Sequence, residues 1–168
     1  TVDRPDQVWC TDITYIPLQR GFAYLVAVMD WHTRAVLSWR ISNTLDTSFC
    51  LEALQEAHRT AGCSPEIFNT DQGCQFTSEA WIEAVEAMGS KVSMDGRGRW
   101  MDNVFIERLW RSLKCEDIYL KDYRNVPELE EGVRRWMEDY NHERIHQGLD
   151  YEYPWSLYRP EPELAEAV

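Results

Sequence analysis

The sequence predicts an α/β fold, a five-stranded mixed sheet with helices on both faces. Three observations carry that expectation. Three β-patterned runs come first, joined by short turns, as in an antiparallel meander. Helix-patterned segments then alternate with short apolar runs, giving the order βββαβαβα. The chain has 168 residues, the length of one domain with a sizeable core.

Taken in order, Val8 to Ile16 reads as the first strand and Gln19-Arg20-Gly21 as a turn. Phe22 to Met29 is a long apolar run, expected to be a strand buried on both faces. Asp30-Trp31-His32-Thr33-Arg34 is a second turn, and Ala35 to Ile41 alternates as a third strand. From Thr47 to Ala61, Phe49, Leu51, Ala53, Leu54 and Ala57 recur at helical spacing, and Gly62 supplies the stop. Ile67-Phe68 leads a short buried strand. Thr77-Ser78 offers an N-cap to a helix from Glu79 to Met88, ended by Gly89. Lys91 to Met94 is a short fifth strand. Asn103 to about Ile118 reads as a helix capped by Asp102 or Asn103, and Pro127 opens a last helix to about His142.

Three carboxylates stand out against this frame. Asp71, in Asn69-Thr70-Asp71-Gln72-Gly73-Cys74-Gln75-Phe76, falls at a strand's C-terminal end, where open α/β sheets place ligands. The same position also suits a simple turn former. Asp12 interrupts the apolar and β-branched run Trp9-Cys10-Thr11-Asp12-Ile13-Thr14-Tyr15. Aspartate is depleted in strands and rarely buried unpaired, so Asp12 needs a partner or a task. Glu107 lies about one turn into the helix that starts near Asp102. Hard oxygen ligands on separate elements suit Mg²⁺ or Mn²⁺ if they converge.

The net charge is −12, which on its face disfavours a nucleic-acid partner, but the charge is unevenly spread. Lys91 to Cys115 holds Lys91, Arg97, Arg99, Arg108, Arg111 and Lys114 against Asp95, Asp102 and Glu107. The rest of the chain from Glu116 is strongly acidic. Arg97 and Arg99 fall in the Gly-rich run Asp95-Gly96-Arg97-Gly98-Arg99-Trp100, which reads either as a phosphate clamp or as a solvated turn. Glu107, Arg111 and Lys114 share one helix face. The five cysteines form no CxxC pair, which argues for a reducing cytoplasm and against a zinc site. No apolar run is long enough to span a membrane and no signal peptide is evident. Thr1 stands where an initiator Met is absent, as in a fragment or after Met removal. His142 and His146 stand four apart, yet offer only two ligands in an irregular region; His146 is expected to be a structural hydrogen bonder.

Between Asp71 and Glu107 lie 35 residues. This resembles the Asp, Asp-35-Glu pattern, the DDE motif, of retroviral integrases and related bacterial insertion-sequence transposases. Trp9 to Tyr15 looks like that family's first motif, Asn69 to Gly73 with Gln75-Phe76 its second, and Asp102-Asn103-Val104 through Glu107 to Leu113-Lys114 its third. Tyr140-Asn141, Arg144, His146, Leu149 and Pro154 resemble the closing motif of the bacterial transposases. The resemblance implies a ribonuclease H-like fold and an integrase-like catalytic core domain over residues 1–160, with 161–168 a frayed tail. It implies cleavage and strand transfer of DNA at transposon ends, using two Mg²⁺ or Mn²⁺ ions per active site on Asp12, Asp71 and Glu107. Arg97, Arg99, Arg111 and Lys114 are then expected to touch DNA phosphate. It further implies a bacterial cytoplasmic protein, a homo-oligomer in the active complex, and a missing N-terminal helix-turn-helix region. Two rival readings are a nuclease of this fold that only hydrolyses and a catalytically silent DNA-binding or assembly module.

Overall fold

A computed structural model describes residues 1–94 and 103–162. The strands are β1 (Val8–Pro17), β2 (Phe22–Asp30), β3 (Val36–Ser42), β4 (Ile67–Thr70) and β5 (Lys91–Met94). The helices are α1 (Thr47–Ala61), α2 (Cys74–Thr77), α3 (Glu79–Ala87), α4 (Val104–Leu113), α5 (Tyr119–Lys121), α6 (Val126–His142) and α7 (Pro154–Tyr158). The strands form one five-stranded sheet in the order β3-β2-β1-β4-β5. The first three are antiparallel neighbours, whereas β4 runs parallel to both β1 and β5. This is the mixed sheet expected from the strand order.

Both sheet faces are covered, so strand residues of both parities are buried. On one face Cys10, Leu25, Ala27 and Met29 meet Ile106, Leu109 and Leu113 of α4 and Leu129, Val133 and Met137 of α6. On the other, Val26, Val28, Leu37 and Phe68 meet Phe49 and Leu54 of α1 and Trp81 and Val85 of α3. The run Phe22–Asp30 is continuous in apolar residues because it is the second strand of this covered sheet. Only its start is open: Phe22 is exposed and Tyr24 half-buried.

The caps follow the sequence. Asp46 accepts from the Ser48 N–H at the start of α1, Ser78 from Trp81 at the start of α3, and Asn125 from Glu128 at the start of α6. Gly62 ends α1 with a φ of 71°, in the left-handed region that glycine enters at no steric cost. Three features depart from the expected elements. A single helical turn, α2, occupies Cys74–Thr77 where a turn alone was expected. The helix from Val104 does not stop at Ile118: Lys114–Ile118 winds as a π-helix and α5 continues to Lys121. Asn103 holds the N-cap position of α4 without making a side-chain cap bond. Asp102, the other expected cap, and the Gly96–Trp100 stretch lie outside the described residues.

Candidate active site

The β1–β4 pairing creates the site. Cys10 is level with Asn69, so the parallel register brings Asp12 level with Asp71, one residue past β4. Strand direction matters here: Asp71 emerges just past the C-terminal end of β4, and the parallel register sets Asp12, midway along β1, beside it. A hollow of about 250 Å³ opens here, with Asp12, Tyr15, Tyr24, Asp71, Gly73 and Gln75 on its walls.

Asp12 is half-buried, and α4 crosses over it. The Trp110 indole N–H donates to Asp12 Oδ2 at 3.1 Å. Burial pushes the Asp12 carboxyl up to about 7; the Asp71 charge adds to the rise and the Trp110 bond opposes it. Asp71 is fixed from its own loop, where the Gly73 N–H donates to its Oδ1 at 2.8 Å. A Cβ on residue 73 would lie 2.9 Å from that oxygen, so only glycine permits this close approach. Asp71 thus shapes a turn and also faces Asp12.

Glu107 stands in the first turn of α4, exposed to solvent. Asn103, Glu107, Trp110 and Lys114 follow one another at steps of four, three and four, and so share one stripe of the helix. The stripe faces the aspartates. The Asn103 amide donates to the Thr11 carbonyl at 3.4 Å and accepts from Asn69 at 3.2 Å, tying α4 to both β1 and β4. At its other end, the Lys114 ammonium is held below its usual range by burial, with the Asp12 charge opposing. Even so, no three Asp, Glu, His or Cys side chains among the described residues come close enough together to hold one ion. The structure unites Asp12 and Asp71; Glu107 flanks them on the stripe without closing on them.

Two crowded carboxylates, one of them driven to keep a proton near neutrality, are a donor set that a hard divalent cation fits. The other expected site residues divide. Lys114 lies near enough to Asp12 to feel its charge. Arg111 lines a different cavity, with Arg34, Arg108 and Arg144. Arg97 and Arg99 lie outside the described residues. His142 packs near Trp155, with ring centroids 5.5 Å apart, and His146 against Tyr140, at 5.0 Å. His146 bonds structurally through its backbone, donating to the Glu152 carbonyl and accepting from the Leu149 and Tyr151 N–H groups, whereas its ring Nε2 is buried with no hydrogen-bond partner among the described residues. Burial, with Arg144 and Arg34 nearby, holds its pKa down to about 4, so the ring stays neutral.

Trp110 and Asn69 fall within the motifs, but motif reading gave neither a contact at the site: the structure sets Trp110 on Asp12 and Asn69 on Asn103. A signal existed for Trp110, since it follows Glu107 by three and shares its helix face. Nothing in the sequence alone could pair Asn69 with Asn103.

A family model described as an integrase core domain matches residues 2–99, and a second of the same description matches residues 88–154. The transposase for insertion sequence element IS629 of Shigella sonnei is 30% identical over 152 residues, covering 90% of this chain and 51% of that protein. The transposase for IS904 of Lactococcus lactis is 32% identical over 155 residues, covering 89% of this chain and 60% of that protein. The chain thus spans roughly half the length of the curated relatives it matches. Among solved structures, the HTLV-2 integrase catalytic core domain in complex with magnesium, in its dimeric form, superposes with a TM-score of 0.73 at 21% identity. That match covers 92% of this chain and 97% of the other. It shows a shared fold, which in that family is ribonuclease H-like.

Proposed function

The chain belongs to the integrase core domain family, and on that premise we propose that it is the catalytic core of a bacterial insertion-sequence transposase. The reaction is metal-dependent cutting of DNA at transposon ends, followed by strand transfer. The observation that carries the reading is the Asp12–Asp71 pair, brought together where β4 ends beside the middle of β1, with Asp12 raised to about 7.

Asp12, Asp71 and Glu107 would hold divalent cations, Mg²⁺ or Mn²⁺, two per site in the full reading. When bound, two such ions supply activation of the attacking oxygen and charge stabilisation at the leaving oxygen. The chain's own groups do the positioning. Trp110 fixes the orientation of Asp12, and Gly73 fixes that of Asp71. Asn103 holds the start of α4 against both strands, so Glu107 approaches from one direction only. Lys114 presents a cation beside Asp12, where it can steady a phosphate oxygen. Arg111, with Arg97 and Arg99, would extend that phosphate contact.

In the first step a water oxygen bonds to phosphorus, the bond from phosphorus to the 3′ oxygen breaks, and a free 3′-OH is left. In the second, that 3′ oxygen bonds to a target phosphorus and the target's own 3′ oxygen departs. Neither step needs a protein nucleophile. Cys74 is exposed near Asp71, but no His lies beside it in sequence to activate it. We assign the reading of end sequence to a helix-turn-helix region beyond these residues, and assembly to a homo-oligomer.

The test is a strand-transfer assay on a pre-cut end with Mg²⁺ or Mn²⁺, run beside Asp71→Asn. Joined product that disappears in Asp71→Asn is expected. Cleavage without joining would establish the hydrolytic nuclease instead, and joining undiminished in Asp71→Asn would remove that residue from the chemistry.

A further inference from the structure

A second concentration of charge stands apart from the carboxylates. A cavity of about 480 Å³ lies between α4, the turn joining β2 to β3, and the segment after α6. Arg34, Arg108, Arg111 and Arg144 line it, with Tyr140 and His146. Arg34 enters from the turn with a φ of 62°, a backbone conformation that glycine or asparagine would adopt with less strain. Its guanidinium lies on the Phe105 ring, 4.1 Å from the centroid, and Arg108 approaches the same ring at 5.8 Å. The Gly148 backbone also closes on Arg34: a Cβ there would meet Nη1 at 2.6 Å. The Tyr140 hydroxyl donates to the Arg34 carbonyl at 2.9 Å, which fixes the turn itself.

Three of these four cations have no carboxylate partner among the described residues. Among the described residues, no carboxylate forms an ion pair with Arg34, Arg108 or Arg111. Arg144 alone is paired, with Glu116. Asp150 and Glu152 line the adjoining cavity but do not reach Arg34. Elsewhere the chain pairs its arginines readily, as at Arg4, Arg40, Arg124, Arg134 and Arg159. Burial, together with the nearby Arg108, holds the Arg34 guanidinium below its usual value, so the cluster is costly as it stands. The buried Nε2 of neutral His146 lacks a hydrogen-bond partner among the described residues and borders the same space. In a chain of net charge −12, uncompensated guanidinium groups gathered around one hollow call for an external anion.

Guanidinium forks match phosphate oxygens. Arg111 is one helical turn beyond Glu107, and Arg108 the residue next to it, so the arginines continue outward from the active-site stripe of α4. We propose that this arginine pocket grips the phosphodiester backbone of duplex DNA at a point removed from the reacting bond. The proposal rests on the transposase-core reading, which supplies the DNA.

The experiment is a metal-free anisotropy titration of the chain with a labelled mixed-sequence duplex, over a salt series, so that catalysis plays no part. Arg108→Glu is compared with Arg59→Glu, the same charge change on exposed α1 across the sheet. Arg34→Gln is a second variant at the half-buried position. Arg108→Glu should weaken binding about fivefold or more and lower the salt slope by about one, the mark of a lost phosphate contact. Arg34→Gln should weaken it in the same sense, and Arg59→Glu should change it less than about twofold, as for screened charge outside the contact. Equal effects of Arg108→Glu and Arg59→Glu would overturn the proposal, as would a wild-type chain that binds no duplex at low salt. Tripolyphosphate that saturates the pocket and resists displacement by duplex would reassign it to a small polyphosphate. A polyglutamate peptide whose binding alone responds to Arg108→Glu would reassign it to an acidic protein segment. If the duplex pattern holds while strand transfer fails, the catalytic reading falls and the pocket stands.

Discussion

Asp12 carries the site's electrostatic signature at the scale of a single residue. An ordinary aspartate loses its proton near 3.8, whereas this one keeps it to about 7. Between those values the folded chain binds a proton that the unfolded chain has released. The stability this group contributes is therefore full below about 3.8 and is lost as pH rises through 7. Asp12→Asn removes the charge and keeps the Trp110 bond. It should stabilise the fold at pH 8 in chelator by an amount on the order of a few kcal/mol, read as a raised melting temperature, and by little at pH 4. Equal melting temperatures across that range would show that Asp12 bears no such burden. On the proposed reading a divalent cation would displace the proton, so Mg²⁺ affinity should climb as pH rises toward 7 and level off above it, measurable by calorimetry in two buffers of different ionisation heat. The motif residues Tyr140 and Asn141 turn out to be structural at this scale. Asn141 accepts from the Val36 N–H and donates to its carbonyl, both at 2.9 Å, which pins α6 to the edge strand β3.

At the scale of elements, α4 is positioned by contacts at its start and middle, through Asn103 and Trp110. Asn103→Ala keeps all three carboxylates but leaves the buried Asn69 amide short of one acceptor. It should cost about 1–3 kcal/mol in urea denaturation and lower strand transfer beyond that loss. Full activity in Asn103→Ala would mean that Glu107 is placed by something else. Further along, the π-helix at Lys114–Ile118 is fastened by Asp117, which accepts from the Tyr123 hydroxyl at 2.6 Å and pairs with Lys121 at 2.8 Å. Tyr123 in turn lies against Gly132, where a Cβ would fall 1.8 Å from its oxygen. Gly132→Ala should therefore destabilise the chain by about 1–3 kcal/mol through overpacking, although alanine is the better helix former. A stabilised variant in the same denaturation series would contradict that packing. The succession of strands and helices, the limits of α1 and the serine cap of α3 were legible in the sequence because they depend on local patterning: the apolar run of β2, the serine before α3, the glycine after α1; the Asp46 and Asn125 caps and the true end of the helix from Val104 were not picked out. The π-helix and the α2 turn were not, since each depends on packing that the local pattern does not display: Asp117 under Tyr123, which itself rests on Gly132, and Phe76 buried against Trp81. For the site, Asp12 and Asp71 were legible as acids in the wrong or the right strand position. The separation of Glu107 from them was not, because it depends on how α4 is hung from the sheet.

For the whole molecule, the distribution of charge decides what the chain can do with DNA. Reading a base sequence needs a rigid element set into a groove, usually a helix with several free polar side chains. Each long helix here is already committed. Helix α1 buries Phe49, Cys50, Ala53, Leu54 and Ala57 against the sheet. Helix α4 carries Glu107 on one side and the arginine pocket on another. Helix α6 spends its outer face on ion pairs among Glu130, Glu131, Arg134 and Arg135. The basic groups proposed to meet DNA, Lys114 and the arginines beside α4, would address phosphates, which every sequence presents alike. Against them stands a net charge of −12, which repels DNA at long range. The chain alone should therefore bind duplex weakly, with strong salt sensitivity and no sequence preference. The measurement is a titration against the element's terminal repeat and a scrambled duplex at two salt concentrations. Matching curves that both weaken with salt are expected. A preference of tenfold or more for the terminal repeat, about 1.4 kcal/mol, would mean that a base-reading surface exists within these residues and that end recognition does not need a separate region.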